Sequence, residues 1–191
     1  MWRLWIALLL IATLNGCGLM DEPEYTGRGE GDYGYGTPKE LGTLLNRRDA
    51  EDAIADRDRM ITEITAELAR VVPGTEWRPN RDPLIGTCGD FGSTNGQTYT
   101  SRHYVSDLPV PAKLWQTASQ TVIDIAARYG YTNIIERSEN PKDGESVDLS
   151  LSDPDGGYFT FGSMKAATLY ARTGCYLTAE EKRKARDAAP K

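Results

Sequence analysis

The chain has 191 residues, with 28 acidic against 22 basic side chains and a formal charge of −6. That balance, with no basic run longer than Lys182-Arg183-Lys184, excludes a long cationic stripe laid down along the sequence for nucleic acid or anionic headgroups. Its length and 39% hydrophobic content suit one domain with a real core once the two ends are set aside.

Met1-Trp2-Arg3 forms a short basic head, and Leu4 to Leu14 is almost entirely apolar. A run of about 11 residues falls well short of the ~20 that a membrane-spanning helix needs, so it reads as the core of a secretory signal peptide. Leu14-Asn15-Gly16-Cys17 follows, with leucine three before the cysteine and a small residue just before it. That is the spacing of a bacterial lipobox, from which Asn15 is the one departure. Residues 1–16 are therefore expected to be a cleaved signal peptide. Cys17 is expected to carry a diacylglyceryl (palmitate-type) anchor that holds the protein to the membrane outside the cytosol. The single arginine of the head fits general secretion better than twin-arginine export.

Residues 17–45 contain Gly27-Arg28-Gly29-Glu30-Gly31 and Gly34-Tyr35-Gly36 with few aliphatic side chains, and are expected to be a flexible tether. The globular domain is placed at 46–177. Asp49 can cap a helix whose apolar positions, Ile54, Ile61, Ile64, Leu68 and Val71, fall on one face, with Arg57, Glu63, Glu67 and Arg70 mostly on the other. Pro73-Gly74 stops it, Trp77 packs across its end, and Pro79, Asn80, Asp82 and Pro83 read as loop.

Leu84 to Cys88 is expected to be a short strand and Tyr99 to Ser106 a longer one, with Tyr99, His103 and Val105 on one face and Arg102 and Tyr104 on the other. A second helix runs from about Pro111 to Tyr129 and ends at Gly130. Strands follow at Thr132 to Arg137 and at Val147 to Ser152. Asp153-Pro154-Asp155-Gly156-Gly157 turns a hairpin into Tyr158–Phe161, and Ala167 to Arg172 is the last strand. Thr178 and Glu181 make a capping box for a charged helix or tail at 178–191. The pattern predicts an α+β fold: a two-layer sandwich of a mainly antiparallel sheet with two long helices on one face.

With Cys17 assigned to lipid, Cys88 and Cys175 remain as an even pair in an oxidising compartment and are expected to form a disulfide. No catalytic, cofactor or metal constellation emerges. His103, the only histidine, lies beside Ser101 without a positioned acid. Ser93 lacks the spacing of a nucleophile elbow. Ser163-Met164-Lys165 has no partner motif. Asp153-Pro154-Asp155-Gly156 begins like a calcium loop but lacks the later oxygen ligands, and there is no zinc spacing. The remaining candidates are aromatic: Tyr99, Tyr104, Tyr158 and Tyr170 offer contact area and a polar tip, and are the expected binding surface.

One family resemblance rests on several of these features together. An exported lipobox cysteine precedes a helix ending Val71-Val72-Pro73-Gly74-Thr75-Glu76-Trp77, and Cys88 follows shortly. A second helix ends Ala126-Ala127-Arg128-Tyr129-Gly130, and late strands close on Thr173-Gly174-Cys175. Over roughly residues 50–177 this resembles the LppA-like lipoproteins of mycobacteria and related actinobacteria. The resemblance implies an envelope-anchored protein and carries over no catalytic residue. The function expected is a membrane-tethered, extracytoplasmic binding module whose partner is an envelope protein or glycan and not nucleic acid. A wall- or lipid-directed hydrolase and a surface exclusion or masking lipoprotein are the alternatives.

Overall fold

A computed structural model describes residues 37–92 and 94–188. The expected signal peptide, the lipidated Cys17 and the first part of the tether lie outside the described residues, as does Ser93.

The described body opens with helix α1 (Pro38–Asn46), inside the segment read as tether. Thr37 caps it through a reciprocal capping box with Glu40, and Pro38 occupies its first turn. Its Leu44 is fully buried against Leu177 and the two cysteines, so the tether ends before this point. Helix α2 (Ala50–Val71) buries Met60, Ile61, Ile64 and Leu68. Asp49 sits at its N-cap without capping a backbone N–H; its carboxylate pairs with the Lys182 ammonium at 2.7 Å.

Arg57, expected on the polar side of α2, is 5% exposed. Its guanidinium donates to the Tyr99 carbonyl at 2.8 Å and pairs with Asp58, which satisfies the buried charge. Helix α3 (Ala112–Arg128) buries Trp115, Ala118, Val122 and Ala126. It ends in a Schellman motif: Tyr131 N–H donates to the Ala126 carbonyl and Gly130 N–H to that of Ala127, with Gly130 at φ +91°.

Among the described residues eight strands form one antiparallel sheet: β1 (Arg78–Arg81), β2 (Leu84–Thr87), β3 (Gln97–Thr100), β4 (His103–Ser106), β5 (Asn133–Arg137), β6 (Val147–Ser152), β7 (Tyr158–Ser163) and β8 (Ala167–Arg172). The order is β1-β4-β8-β7-β6-β5, with β3 bridging β2 to β8. A short helix, α4 (Ala179–Ala188), closes the described chain. The fold is α+β. One apolar cluster joins the stripes of α2 and α3 to alternate residues of β6 to β8, among them Leu149, Leu151, Phe159, Phe161, Leu169 and Ala171.

Two expectations are corrected here. Arg78–Arg81, read as loop, is a strand. It lies at the sheet edge, where Pro79 costs no ladder bond, and only its pairing with β4 makes it one. The strand expected from Tyr99 to Ser106 is two strands separated by Ser101 and Arg102. The break is held by Ser101, whose N–H donates to the Ala171 carbonyl at 2.7 Å and whose Oγ accepts from the Ala171 N–H at 3.0 Å. An insertion of this kind shifts the alternation of side chains beyond it.

Cys88 and Cys175 are joined, with Cα atoms 5.7 Å apart, tying the end of β2 to the segment after β8. Around the bridge, Arg47 donates to the carbonyls of Cys175 and Asp155 and pairs with the Asp155 carboxylate, which also accepts from the Tyr176 hydroxyl. Burial, and then the Asp155 carboxylate, hold the Tyr176 phenol above its usual range. Lys182 of α4, 5% exposed, donates to the Arg47 carbonyl as well as pairing with Asp49. The charged C-terminal segment is thus docked through Lys182, Ala185 and Glu181, which accepts from the Asn95 amide at 2.7 Å, while Arg183, Lys184, Arg186 and Asp187 are exposed.

Candidate functional site

The shifted alternation at Ser101 redistributes the four candidate tyrosines. Tyr104 pairs with Leu169 and packs on the main core, and Tyr99 packs against Ala50 and Ala53 of α2. Both lie on the helix side of the sheet. Tyr158 and Tyr170 project from the opposite side, because their neighbours in sequence, Phe159, Leu169 and Ala171, point into the core. The four do not share a face.

What the outward face does bring together is His103 and Tyr170. The rings stack with centroids 4.2 Å apart and planes 5° from parallel. One step along the β4–β8 register they are direct cross-strand neighbours, and Tyr170 is in turn opposite Thr160. Thr160 is opposite Ser150, Ser150 is opposite Glu136, and Arg81 on β1 is opposite His103. The adjacent row runs Thr100, Arg172, Tyr158 and Ser152. The Tyr158 hydroxyl and Ser150 Oγ are 2.8 Å apart. None of the outward residues of β6, β7 and β8 belongs to an apolar cluster. Burial first, and then the positive charge of Arg81, hold the His103 imidazole below its ordinary value of 6.5. Both causes disfavour the charged imidazolium.

Arg81, Arg102 and Arg172 are exposed, and among the described residues none of the three is in an ion pair. Arg81 and Arg102 line a shallow depression of about 270 Å³ with Pro79, Asn80 and Asp82. No sequence pattern announced these arginines, which are scattered over ninety residues of chain. Only the register of β1, β4 and β8 gathers them.

The remaining candidates are structurally engaged. Ser101 is 1% exposed and its hydroxyl donates to the Arg102 carbonyl. Ser163 is 6% exposed and accepts from the Val110 N–H at 2.8 Å, whereas Lys165 lies exposed in the turn beyond. Asp153 accepts from the Gly157 N–H and closes the β6–β7 turn, with Gly156 at φ +86°. No group of three or more His, Cys, Asp or Glu among the described residues is placed to hold a metal. An open groove of about 640 Å³ between the end of α2 and the start of α3 is lined by aliphatic and proline side chains, with Lys113 as its one charge.

The model of the LppA family, described as a lipoprotein confined to pathogenic Mycobacterium, matches residues 37–179. The crystal structure of LppA from Mycobacterium tuberculosis is similar in fold, with a TM-score of 0.59 at 19% identity, over 78% of this chain and 86% of that one. A DUF4853 family protein from Actinomyces odontolyticus is similar with a TM-score of 0.51 at 15% identity, over 76% of each chain. At such identities the two structures speak to the fold alone. No curated protein matches.

Proposed function

The chain belongs to the LppA family, and from that premise we propose that it is an envelope lipoprotein acting outside the cytosol as a membrane-tethered interaction module, with no catalytic step of its own. In this reading a diacylglyceryl group on Cys17 is the anchor, the glycine-rich residues after it are the tether, and an envelope protein or glycan is the partner. The lipobox spacing at Leu14-Asn15-Gly16-Cys17 supports the anchor. The Cys88–Cys175 bridge supports an oxidising compartment.

One observation carries the interaction half of the reading: the outward face of β4, β8 and β7 presents the stacked His103 and Tyr170 rings beside Tyr158 and a row of hydroxyls. Flat aromatic and hydroxyl-bearing surface suits a partner that lies along the sheet. The groove at the end of α2 has no comparable convergence of polar groups.

The test uses the full chain grown with an alkyne fatty-acid analogue. Wild type is expected to be labelled and membrane-bound, and Cys17→Ser unlabelled and released. A photo-crosslinking residue in place of Tyr170 is expected to give envelope adducts, while one in place of Thr62, exposed on α2, gives none. Absence of label on wild type, or equal adducts from both positions, would set the reading aside.

A further inference from the structure

We propose that the outward face around the His103–Tyr170 stack is a binding site for an acidic polysaccharide, one whose negative charge comes from sugar carboxylates. This rests on the reading of the chain as an envelope interaction module and narrows its partner. Three features of the face converge on that chemistry.

The first is charge. The body is acidic overall, yet Arg81, Arg102 and Arg172 stand on or beside this face, exposed and without ion-pair partners among the described residues. Planar guanidinium groups donate paired hydrogen bonds to carboxylates. Asp82 shares a rim with Arg81 and Arg102 and is paired with neither, and Glu136 ends the row on the far side. Negative charge is therefore received at the β1–β4–β8 half of the face.

The second is the platform. His103 and Tyr170 lie parallel at 4.2 Å, a flat stacked pair whose burial disfavours charge on the imidazole. Arg81 lies on β1 and Tyr170 on β8, two strands along the pairing order, so the arginine and the ring are separated by roughly two strand spacings, about 10 Å. One bound chain can reach both. The third is the set of hydroxyls. Thr160, Ser152 and Tyr158 continue the same two rows with donors and acceptors suited to ring hydroxyls, and the buried Ser150 holds the Tyr158 hydroxyl at 2.8 Å.

The alternatives fit less well. A protein interface buries an apolar centre, whereas the outward positions of β6 to β8 carry no aliphatic side chain, Val105 of β4 is itself buried, and the exposed Leu84 stands at the β2 end of the Thr100 row, away from the centre. Tight nucleic-acid binding draws on many phosphate contacts, more than three arginines on an acidic body supply.

Affinity electrophoresis of the full chain in detergent, through gels containing polygalacturonate or neutral dextran, tests the proposal. Polygalacturonate is expected to retard the protein, less so as salt rises, and dextran to leave it unretarded. Arg81→Gln combined with Arg172→Gln is expected to weaken retardation by about tenfold or more, the loss that about 1.4 kcal/mol represents. Tyr170→Ala is expected to weaken it as well, and Lys113→Ala, on the apolar groove, to change nothing. The arginine variants alter exposed side chains, and an unchanged unfolding midpoint verifies that they fold. No retardation, retention by the double variant equal to wild type, or equal retardation by inorganic polyphosphate or single-stranded DNA would each overturn the proposal. If it fails while Cys17 is labelled and the Tyr170 probe still gives envelope adducts, the envelope reading stands and only the ligand is wrong.

Discussion

His103 and Tyr170 stack face to face at 4.2 Å from adjacent strands, β4 and β8, that the sequence separates by more than sixty residues. Burial against that ring and the charge of Arg81 both disfavour the imidazolium. As the chain has one histidine, its imidazole proton signal can be titrated without assignment. The midpoint is expected below 6.5. Arg81→Gln should raise it in part and Tyr170→Ala further, since burial is the larger cause. A midpoint at or above 6.5 in wild type would contradict the packing described here.

The same group sets a pH dependence of stability. The unfolded chain takes up its histidine proton at about 6.5, before the folded one does. The contribution of neutral His103 is therefore complete above that pH and lost as pH falls from 6.5 through the lower folded value. Denaturant unfolding at pH 7.5 and 5.0 should show a decrease that His103→Phe reduces. An equal decrease in both proteins would assign the effect to carboxylates instead.

How much of this was legible beforehand depended on where periodicity was strong. α2, α3 and β6 to β8 bury one regular stripe each, so their spacing alone located them. β1 was not legible, because Arg78-Pro79-Asn80-Arg81 has no apolar alternation and is a strand only through β4. α1 carried a signal in the Thr37–Glu40 capping box, obscured by the glycine-rich sequence before it. The outward face was misjudged for a single reason. The break at Ser101 and Arg102 reverses the alternation, so that Tyr99 and Tyr104 both turn toward the helices and His103 toward Tyr170. The arginines beside that face are distant in sequence and had no pattern to reveal them.

The disulfide closes a loop with its cysteines 87 residues apart and lies in a small cluster with Leu44 and Leu177, separate from the main core. On the chain-entropy account its removal costs about 4–5 kcal/mol. The Cys88→Ser, Cys175→Ser double variant is expected to lose up to that amount in urea unfolding. Hydrogen exchange should rise first in α1, whose Leu44 packs against the bridge. Uniform loss of protection across α2 and β6 to β8 would show that the two clusters unfold as one.

Two glycines separate backbone strain from steric exclusion. Gly130 has φ +91° and open space where a Cβ would stand, so Gly130→Ala should cost about 1–2 kcal/mol from the left-handed conformation alone. At Gly174 a Cβ would stand 2.3 Å from the Asp155 carbonyl oxygen, the same oxygen that accepts from Arg47. Gly174→Ala must displace backbone and break that contact, and is expected to be the more destabilising of the two. The reverse order in thermal unfolding would mean that the turn at Asp155 yields easily.

Trp77 and Trp115 pack on the same Phe161 ring, at 6.3 and 5.2 Å, but differ in how their indole N–H is treated. Trp115 Nε1 donates to the Ser138 carbonyl at 2.8 Å. Trp77 Nε1 is buried with no partner among the described residues, as is the hydroxyl of Ser106, and the β1–β4 register places these two residues opposite each other. Removing a bonded donor strands its acceptor, whereas removing an unbonded one relieves a desolvated group. Trp115→Phe is therefore expected to cost about 1–3 kcal/mol. Ser106→Ala should stay within about 0.5 kcal/mol of wild type or stabilise the protein. A large loss from Ser106→Ala in denaturant unfolding would show that its hydroxyl is hydrogen-bonded in solution.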